Sequence, residues 1–354
     1  MAPQMLDGQR NRLRAAQLRS LARLVGFDGG PESGEFTDLG LGGVLSVGPI
    51  VYGLLDQPGH RGLGRILAWL DRREDADDVS LRLLVAGPDR ESCDRHASIV
   101  TRYGSFLRNP PQVWAAVGKA VHEAPPASQE PYREPSAAEW ATARPLVEAG
   151  AVLVAEHGVV LGEVLGLEIG RVMQQDDEAP VLEIGVGKND RAAASMMTNL
   201  RPRDELLAAI AEQVRVQRRS DASPHPLNRL ARERWLRAKV MSDPFLVGAA
   251  ELVPVEPPFP RQNLVEWMPA FAYGPGQGEH STHQTLVACS VGVDVDLPLL
   301  AADARDRQRR VFGSPVDRLV LVTPLRDRYS AIATMANRLI EPPEWTIVEG
   351  DWPS

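Results

Sequence analysis

The stretch RLLVAGP at residues 82–88 matches RLVLVTP at residues 318–324 in length and in pattern. Each begins with arginine, continues as an apolar run of the length of a buried strand, and ends at proline. A helical pattern follows each run. Strands that alternate with helices in this way are typical of an α/β fold with partly parallel sheets.

The flanks of the two stretches correspond as well. Each helical pattern leads to a double proline and a tryptophan, in PPQVW at 110–114 and in PPEW at 342–345. Upstream of each stretch, an apolar strand reaches an aspartate before a proline, in LLDQP at 54–58 and in VDVDLP at 293–298. The sequence therefore predicts two related β-α-β-α-β units in mixed sheets. The alternative is a chance similarity between two α/β segments.

We expect three parts along the chain. An N-terminal α/β domain covers residues 1–123, a linker rich in Pro, Ala and Ser covers 124–145, and a C-terminal α/β domain covers 146–354. The C-terminal domain contains an insertion between the two related units. The insertion consists of a predicted β-hairpin at 151–187 and helices at 189–241. The second α/β unit of the domain follows at 285–350.

Composition excludes several classes of protein. With 44% hydrophobic and 24% charged residues, the chain of 354 residues is globular rather than disordered, and no apolar run is long enough to span a membrane. The N-terminus lacks the apolar core of a signal peptide, and two cysteines suit a reduced, cytoplasmic protein. Only three of the 39 basic residues are lysines, which indicates a bacterial source with a genome of high GC content.

The tetrapeptide LEIG occurs at 167–170 and again at 182–185, and glycines flank each copy. Side chains of a strand alternate between faces, and the apolar side chains of both copies must point to one core. This register places Glu168 and Glu183 on the same face, directly or diagonally opposite each other. Like charges there are unfavourable unless a cation or an arginine intervenes.

Two interpretations of this face stay open. In one, the glycines clear space for a divalent metal, Mg²⁺ or Mn²⁺, which Glu168 and Glu183 hold while Lys188 orients a water molecule. Asp190 then supports the metal ligands without binding the metal itself, although it also suits a helix cap. In the other interpretation, a helix packs closely on the glycines, or the glutamates are ordinary surface residues.

Two acidic residues on a sheet with a lysine nearby, in an α/β chain, resemble the PD-(D/E)XK nuclease superfamily. The resemblance covers the second half of the chain. In that family the lysine stands two residues after the glutamate, where this chain has Gly185, and Lys188 follows three residues later. The resemblance implies a nuclease-like fold and a metal-dependent action on nucleic acid, with a site that is divergent, repurposed or lost.

The segment SPHPLNRLARERWLRAKV at 223–240 predicts one amphipathic helix with a basic face. His225, Arg229 and Arg232 are expected opposite the apolar face, in positions suited to contact phosphates of nucleic acid. A basic face exposed to solvent explains the two arginines equally well.

Arg234 differs from these residues because it falls inside the apolar face of the same predicted helix. We expect its guanidinium to be buried, where an unpaired charge would cost several kcal/mol. The acids nearest to it by this argument are Glu168 and Glu183. A contact with either would explain both glutamates as a structural ion-pair cluster, without a metal.

Asp294 and Asp296 form an alternative site at the end of a predicted strand, a position where α/β folds bind ligands. The spacing resembles phosphatases of the haloacid dehalogenase type. That activity needs a downstream lysine, or an arginine in its place, and no lysine follows residue 239. A turn at the strand end is the simpler interpretation.

These observations support three hypotheses on function. The first is a protein that acts on or binds nucleic acid, in the form of a divergent metal-dependent nuclease, and the glutamate geometry favours it. The second is a non-catalytic interaction or scaffold protein with a nuclease-like fold and a protein partner. The net charge of −8 and the unmatched lysine favour this second hypothesis. The third is a phosphotransfer enzyme or hydrolase centred on Asp294 and Asp296.

Overall fold

The computed structural model describes residues 2–30, 33–40, 42–56, 61–174, 178–187, 190–192, 202–219, 223, 225–278 and 281–349. The main helices are α1 (Ala2–Leu24), α2 (Leu63–Leu70), α3 (Arg90–Gly104), α4 (Ala137–Thr142), α5 (Arg144–Glu148), α6 (Arg203–Gln217), α7 (Arg232–Ser242), α8 (Leu297–Arg310) and α9 (Ser330–Asn337). Among these described residues, no helix combines the length and the apolar character that crossing a bilayer requires.

The strands of the described chain form three sheets. The first sheet contains β1 (Glu35–Asp38), β2 (Gly42–Val47), β3 (Ile50–Leu55), β4 (Ser80–Ala86), β5 (Gln112–Val117) and β6 (Ala120–Glu123). The second, which we call the small sheet, contains β7 (Val152–Glu156), β8 (Val159–Val164), β9 (Leu167–Met173) and β10 (Val181–Ile184). The third contains β11 (Val253–Val255), β12 (Ala270–Pro275), β13 (Gln284–Cys289), β14 (Arg318–Pro324) and β15 (Glu344–Val348).

The chain separates into two compact units, and neither is a continuous piece of sequence. Unit 1 comprises 1–129, 295–302 and 329–342, and unit 2 comprises the rest. These boundaries differ from the predicted division at 123 and 146. Inside the predicted linker, α4 begins because Ser136 and Glu139 form a reciprocal capping box.

The first sheet, in unit 1, has the strand order β1-β2-β3-β4-β5-β6. The strands β3, β4 and β5 are parallel, and the other neighbours are antiparallel. Apolar residues of α1, among them Leu18 and Ala22, are fully buried in a core with side chains of β2, β3 and β4. The RLLVAGP stretch therefore supplies the central parallel strand, as its continuous apolar run predicts.

The third sheet, in unit 2, has the order β11-β12-β13-β14-β15. Its first two strand pairs are antiparallel and its last two are parallel. Without β6, the first sheet has the same order and the same directions, and in both sheets helices follow the third and the fourth strand. The predicted α/β class and the two related β-α-β-α-β patterns are confirmed.

Equivalent positions of the two patterns meet inside unit 1. Leu107 and Leu339 each stand three residues before a double proline, and they form an antiparallel bridge. Next to them, the Arg108 N–H donates to the Arg338 carbonyl over 2.9 Å. In the same unit α9 packs against α2. Unit 1 is therefore completed by residues from near the C-terminal end of the sequence.

The small sheet of unit 2 is fully antiparallel, in the order β10-β9-β8-β7. It replaces the predicted two-stranded hairpin at 151–187. Side chains of the sheet pack with α5 and α6 in a core that includes Leu146, Ile169, Leu207 and Val214. The helix α7 packs against β12 and β13, where Leu236 and Val240 are buried.

Candidate functional site

Two tight turns set the register of the small sheet. His157 and Gly158 connect β7 to β8, and Leu165 and Gly166 connect β8 to β9. All four residues have positive φ, between 47° and 81°, which two-residue hairpin turns of type I′ require. Leu165 is therefore a turn residue and not part of the first LEIG strand.

The turns place a different pair of glutamates opposite each other than the sequence predicts. Glu163 of β8 is opposite Glu168 of β9, and both are buried. Glu183 of β10 is opposite Arg171. Glu168 and Glu183 are therefore not directly opposite, but they share the predicted face as diagonal neighbours, because a register shift in the β8–β9 pairing puts Glu168 on the same face as Arg171.

Arginines surround Glu168, whose side chain is only 2% exposed. Arg171 donates to both carboxylate oxygens, over 2.6 and 2.7 Å, and Arg191 donates a third bond over 2.9 Å. Arg191 also lies 3.2 Å from a carboxylate oxygen of Glu183. One guanidinium thus joins the two predicted metal ligands.

This donor set does not fit Mg²⁺ or Mn²⁺, because both oxygens of Glu168 already accept hydrogen bonds from arginine and the bridging charge is a fixed cation. Within the described part of the chain, no cluster of three His, Cys, Asp or Glu side chains has the arrangement of a metal site. Lys188, the predicted catalytic residue, lies outside the described residues. Asp190 accepts a hydrogen bond from the Val186 N–H over 3.1 Å, a local turn contact and not a link to either glutamate.

Arg234 is buried as predicted, with 3% of its surface exposed, but its partners are different. It contacts Glu156 and lies 3.1 Å from Glu163, two residues that the sequence analysis did not select. Arg237, one helical turn later on α7, also pairs with Glu163 and donates to the Phe271 carbonyl over 3.4 Å. The predicted contact of Arg234 with Glu168 or Glu183 is therefore wrong.

These residues form what we call the arginine–glutamate cluster: Glu156, Glu163, Glu168, Arg171, Arg191, Arg234 and Arg237. Arg237 and Arg234 lower the pKa of Glu163 against the effect of its burial, so its carboxylate stays charged. Each buried charge has an opposite charge beside it, which is the condition for keeping ions in an interior.

Glycines let a helix approach the cluster. A Cβ on Gly166 would overlap the backbone of Arg234 and Trp235 in α7. On Gly170 a Cβ would lie 2.9 Å from the Leu146 side chain of α5. The interpretation that helices pack on the glycines of this region therefore holds for Gly166 and Gly170, and Glu168 is buried while Glu183 is exposed.

The predicted phosphate-binding residues do not share a helix face. A 3₁₀ helix spans Pro226–Arg229, the backbone turns at Ala231 with a φ of 43°, and α7 begins only at Arg232. His225 caps the 3₁₀ helix by accepting from the Leu227 N–H. One continuous helix with a basic face is therefore wrong, since Ala231 interrupts it.

The two aspartates of the alternative site, Asp294 and Asp296, belong to different units. Within unit 1, the Asp296 carboxylate accepts from the backbone N–H groups of Gly62 and Gly64, over 3.1 and 2.8 Å. It caps the N-terminus of α2, where the helix dipole favours a negative charge. Asp294 belongs to unit 2 and is also buried. Asp296 is therefore assigned to helix capping.

Unit 2 contains a groove of about 630 Å³ between the edge strands β7 and β11. Neither the sequence motifs nor the resemblance pointed to it. Apolar side chains dominate its walls, and five of them are large and at least 39% exposed. These five, which we call the groove rim, are Tyr132, Trp140, Val152, Val253 and Phe312.

Two of the three charged residues that line the groove, Arg133 and Glu256, form ion pairs. Arg307 donates to Glu256 over 3.1 Å, and the other oxygen of Glu256 accepts from the His157 N–H over 2.8 Å. The Arg133 guanidinium donates two hydrogen bonds to Glu139, over 2.6 and 2.8 Å, and this holds the pKa of Glu139 down at about 2. The groove therefore presents a mainly apolar surface, with Glu134 as an exposed charge in its lining.

The sequence contains a pattern that predicts the pairing of Glu163 with Glu168, although the LEIG motif does not include it. The dipeptides His157-Gly158 and Leu165-Gly166 each separate two apolar runs, which is the pattern of consecutive tight hairpins. Applied to this segment, that pattern places Glu163 opposite Glu168. The groove has no equivalent signal, because its lining comes from segments far apart in sequence.

Comparisons of the chain with protein-family models, with curated proteins and with solved structures gave no match.

Proposed function

We propose that this protein is a non-catalytic binding protein, and that the groove of unit 2 is its ligand site. The observation that carries the proposal is the exposure of the five rim side chains around one cavity. Clusters of exposed large apolar side chains are uncommon on monomeric proteins and mark sites of interaction. A mainly apolar groove of several hundred Å³ with few polar groups is also the usual form of a ligand site.

The arginine–glutamate cluster also favours a binding protein over a nuclease. A nuclease needs carboxylate oxygens that are free to bind a metal, and those of Glu168 accept hydrogen bonds from Arg171 and Arg191. The groups predicted to hold phosphates are divided between two helices. Action on nucleic acid therefore stays a prediction, and a protein partner is the proposal. A cytoplasmic location in a bacterium also stays a prediction, which two unpaired, buried cysteines support.

The test uses the purified full chain and the fluorescent apolar probe 8-anilinonaphthalene-1-sulfonate. Val253→Asp places a charge at the groove rim, and Val265→Asp is a matched control because Val265 is equally exposed in the same unit but does not line the groove. We expect Val253→Asp to lose most of the probe fluorescence and Val265→Asp to keep it. Equal fluorescence from both variants would contradict the proposal.

A second arm measures cleavage of single- and double-stranded DNA and RNA, and thermal unfolding, with and without Mg²⁺ or Mn²⁺. We expect no cleavage and no shift of the melting temperature by either metal, in the wild type and in Glu183→Ala alike. Metal-dependent cleavage that Glu183→Ala abolishes would establish the nuclease hypothesis in place of the binding protein.

A further inference from the structure

Side chains, rather than backbone groups, determine what the groove can bind. The strand β11 packs against β7, and Glu256, just after β11, accepts from the His157 N–H at the end of β7 over 2.8 Å. The edge of β7 is therefore covered by residues of the same unit. A ligand of the groove is selected by the apolar character and the charge of the surrounding side chains.

The charges that line the groove leave one carboxylate without an opposite charge. Arg133 is paired with Glu139, and Glu256 is paired with Arg307. Glu134 also lines the groove and is exposed, and among the residues that the structure describes no basic side chain pairs with it. Because the two ion pairs cancel, the charge that complements the groove is a single cation.

The chain itself already holds one cation at the groove rim. The Arg307 guanidinium lies 5.3 Å from the centre of the Tyr132 ring and 5.4 Å from that of the Phe312 ring, while it donates to Glu256 over 3.1 Å. An aromatic ring and a carboxylate both attract a guanidinium or an ammonium group. The same combination elsewhere in the groove would therefore bind a second cation.

Trp140 and Glu134 supply that combination without a cation from the described part of the chain. The Trp140 side chain is 39% exposed, and tryptophan is the aromatic residue that binds cations best. Between the two residues, the Glu139 carboxylate accepts from Arg133 and from the Ser136 N–H, which closes the capping box. These bonds hold the segment in one conformation, so the backbones of Glu134 and Trp140 have fixed positions relative to each other.

Resting on the proposed function, we propose that the partner protein places one basic side chain, a lysine or an arginine flanked by apolar residues, in the groove. The cation pairs with Glu134 and contacts the ring of Trp140, while the apolar neighbours cover Val152 and Val253 at the rim. A polypeptide is favoured over a free amine because the rim residues surround the groove. A small molecule inside it would leave their outer sides exposed to water.

The test compares three blocked pentapeptides on the purified full chain, by displacement of 8-anilinonaphthalene-1-sulfonate. The peptides have leucines on both sides of the central residue, which is lysine, norleucine or glutamate. Norleucine keeps the alkyl chain of lysine and lacks the ammonium group. We expect the lysine peptide to bind about fivefold more tightly than the norleucine peptide, through one exposed ion pair and one cation–π contact, and the glutamate peptide to bind most weakly.

Three variants assign the preference for lysine to its residues. Glu134→Gln removes the charge and keeps the shape, and Glu205→Gln is the matched control because Glu205 is exposed in the same unit and does not line the groove. We expect the preference to be lost in Glu134→Gln, reduced in Trp140→Leu and unchanged in Glu205→Gln. Each peptide affinity is corrected for the affinity of that variant for the fluorescent probe.

The inference is overturned if the lysine and norleucine peptides bind equally, if the preference survives Glu134→Gln, or if no peptide displaces the probe. Displacement by hexylamine as effective as that by the lysine peptide would assign the groove to a small amine and overturn the polypeptide. In each case a probe signal that Val253→Asp removes would leave the groove standing as the ligand site, and its absence would end both proposals.

Discussion

The arginine–glutamate cluster and the groove are built on the same strand in opposite ways. At one end of β7, Glu156 is buried and paired with Arg234. At the other end, Val152 is 50% exposed at the groove rim. Charge is thus held inside and apolar surface is left outside, the reverse of the usual distribution. The charges of the cluster are paired within the chain, whereas the rim side chains stay largely exposed even though Arg307 contacts the rings of Tyr132 and Phe312, and the proposed function rests on this contrast.

Removal of one charge from the cluster should give the largest effect. We expect Arg237→Ala to lower the free energy of unfolding by about 3–5 kcal/mol, because Glu163 loses one of its buried cations. Urea unfolding followed by circular dichroism measures this. Arg229→Ala is the control, since Arg229 is exposed and its loss should change stability by no more than about 0.5 kcal/mol. Equal stability of the two variants would show that the cluster does not hold unit 2 together.

A fall in pH should have the second-largest effect on stability, through the ion pair of Glu139 with Arg133 beside the groove. The pKa of Glu139 in the folded chain, about 2, is below its ordinary value of 4.5. Its contribution to stability is therefore fully present above pH 4.5 and is lost as the pH falls towards 2. We expect about 2 kcal/mol, reduced from the full pKa difference because the Arg133 side chain is half-exposed.

This prediction compares urea unfolding of the wild type and of Glu139→Gln between pH 6 and pH 3. The difference between them should shrink on acidification. Glu148→Gln removes an exposed ion pair with Arg144 and serves as the control. A difference for Glu139→Gln that is independent of pH would contradict the assignment.

Replacement of both members of the Glu163–Arg237 pair should lower the free energy of unfolding much less than removal of one member. In Glu163→Met combined with Arg237→Met, the pair of Glu156 with Arg234 remains and the net charge of the cluster is unchanged. We expect stability within about 1 kcal/mol of the wild type, since well-packed apolar side chains often replace buried ion pairs at no loss. A loss in the double variant equal to the sum of the two single losses would show instead that the two residues stabilise the chain independently of each other.

A polar substitution at the groove rim should have the smallest effect on stability. We expect Val253→Ser to change the free energy of unfolding by no more than about 0.5 kcal/mol, because Val253 is largely exposed. Val320→Ser, in the buried centre of β14, is the matched control and should be clearly destabilising. Thermal unfolding of both variants decides this. A large loss at Val253 would make the rim part of the core and not a docking surface.

The sequence predicted the sheets better than the site. The two β-α-β-α-β patterns followed from the RLLVAGP and RLVLVTP stretches because buried parallel strands have continuous apolar runs that are visible in the sequence. The burial of Arg234 followed from its position on a helix face. Its partners did not follow, because pairing depends on the offset between strands and on which helix covers them. The groove depends on segments that only the folded chain brings together.

The bridge between Leu107 and Leu339 has a consequence for the order in which the protein forms. During synthesis, the first 129 residues leave the ribosome long before the residues that cap α2, pack against it and close the bridge. Until then the N-terminus of α2 lacks the Asp296 carboxylate, and the apolar side of α2 lacks α9. We therefore expect the nascent N-terminal third to need chaperones before it forms a finished domain, since exposed apolar surface of this kind makes folding intermediates aggregate.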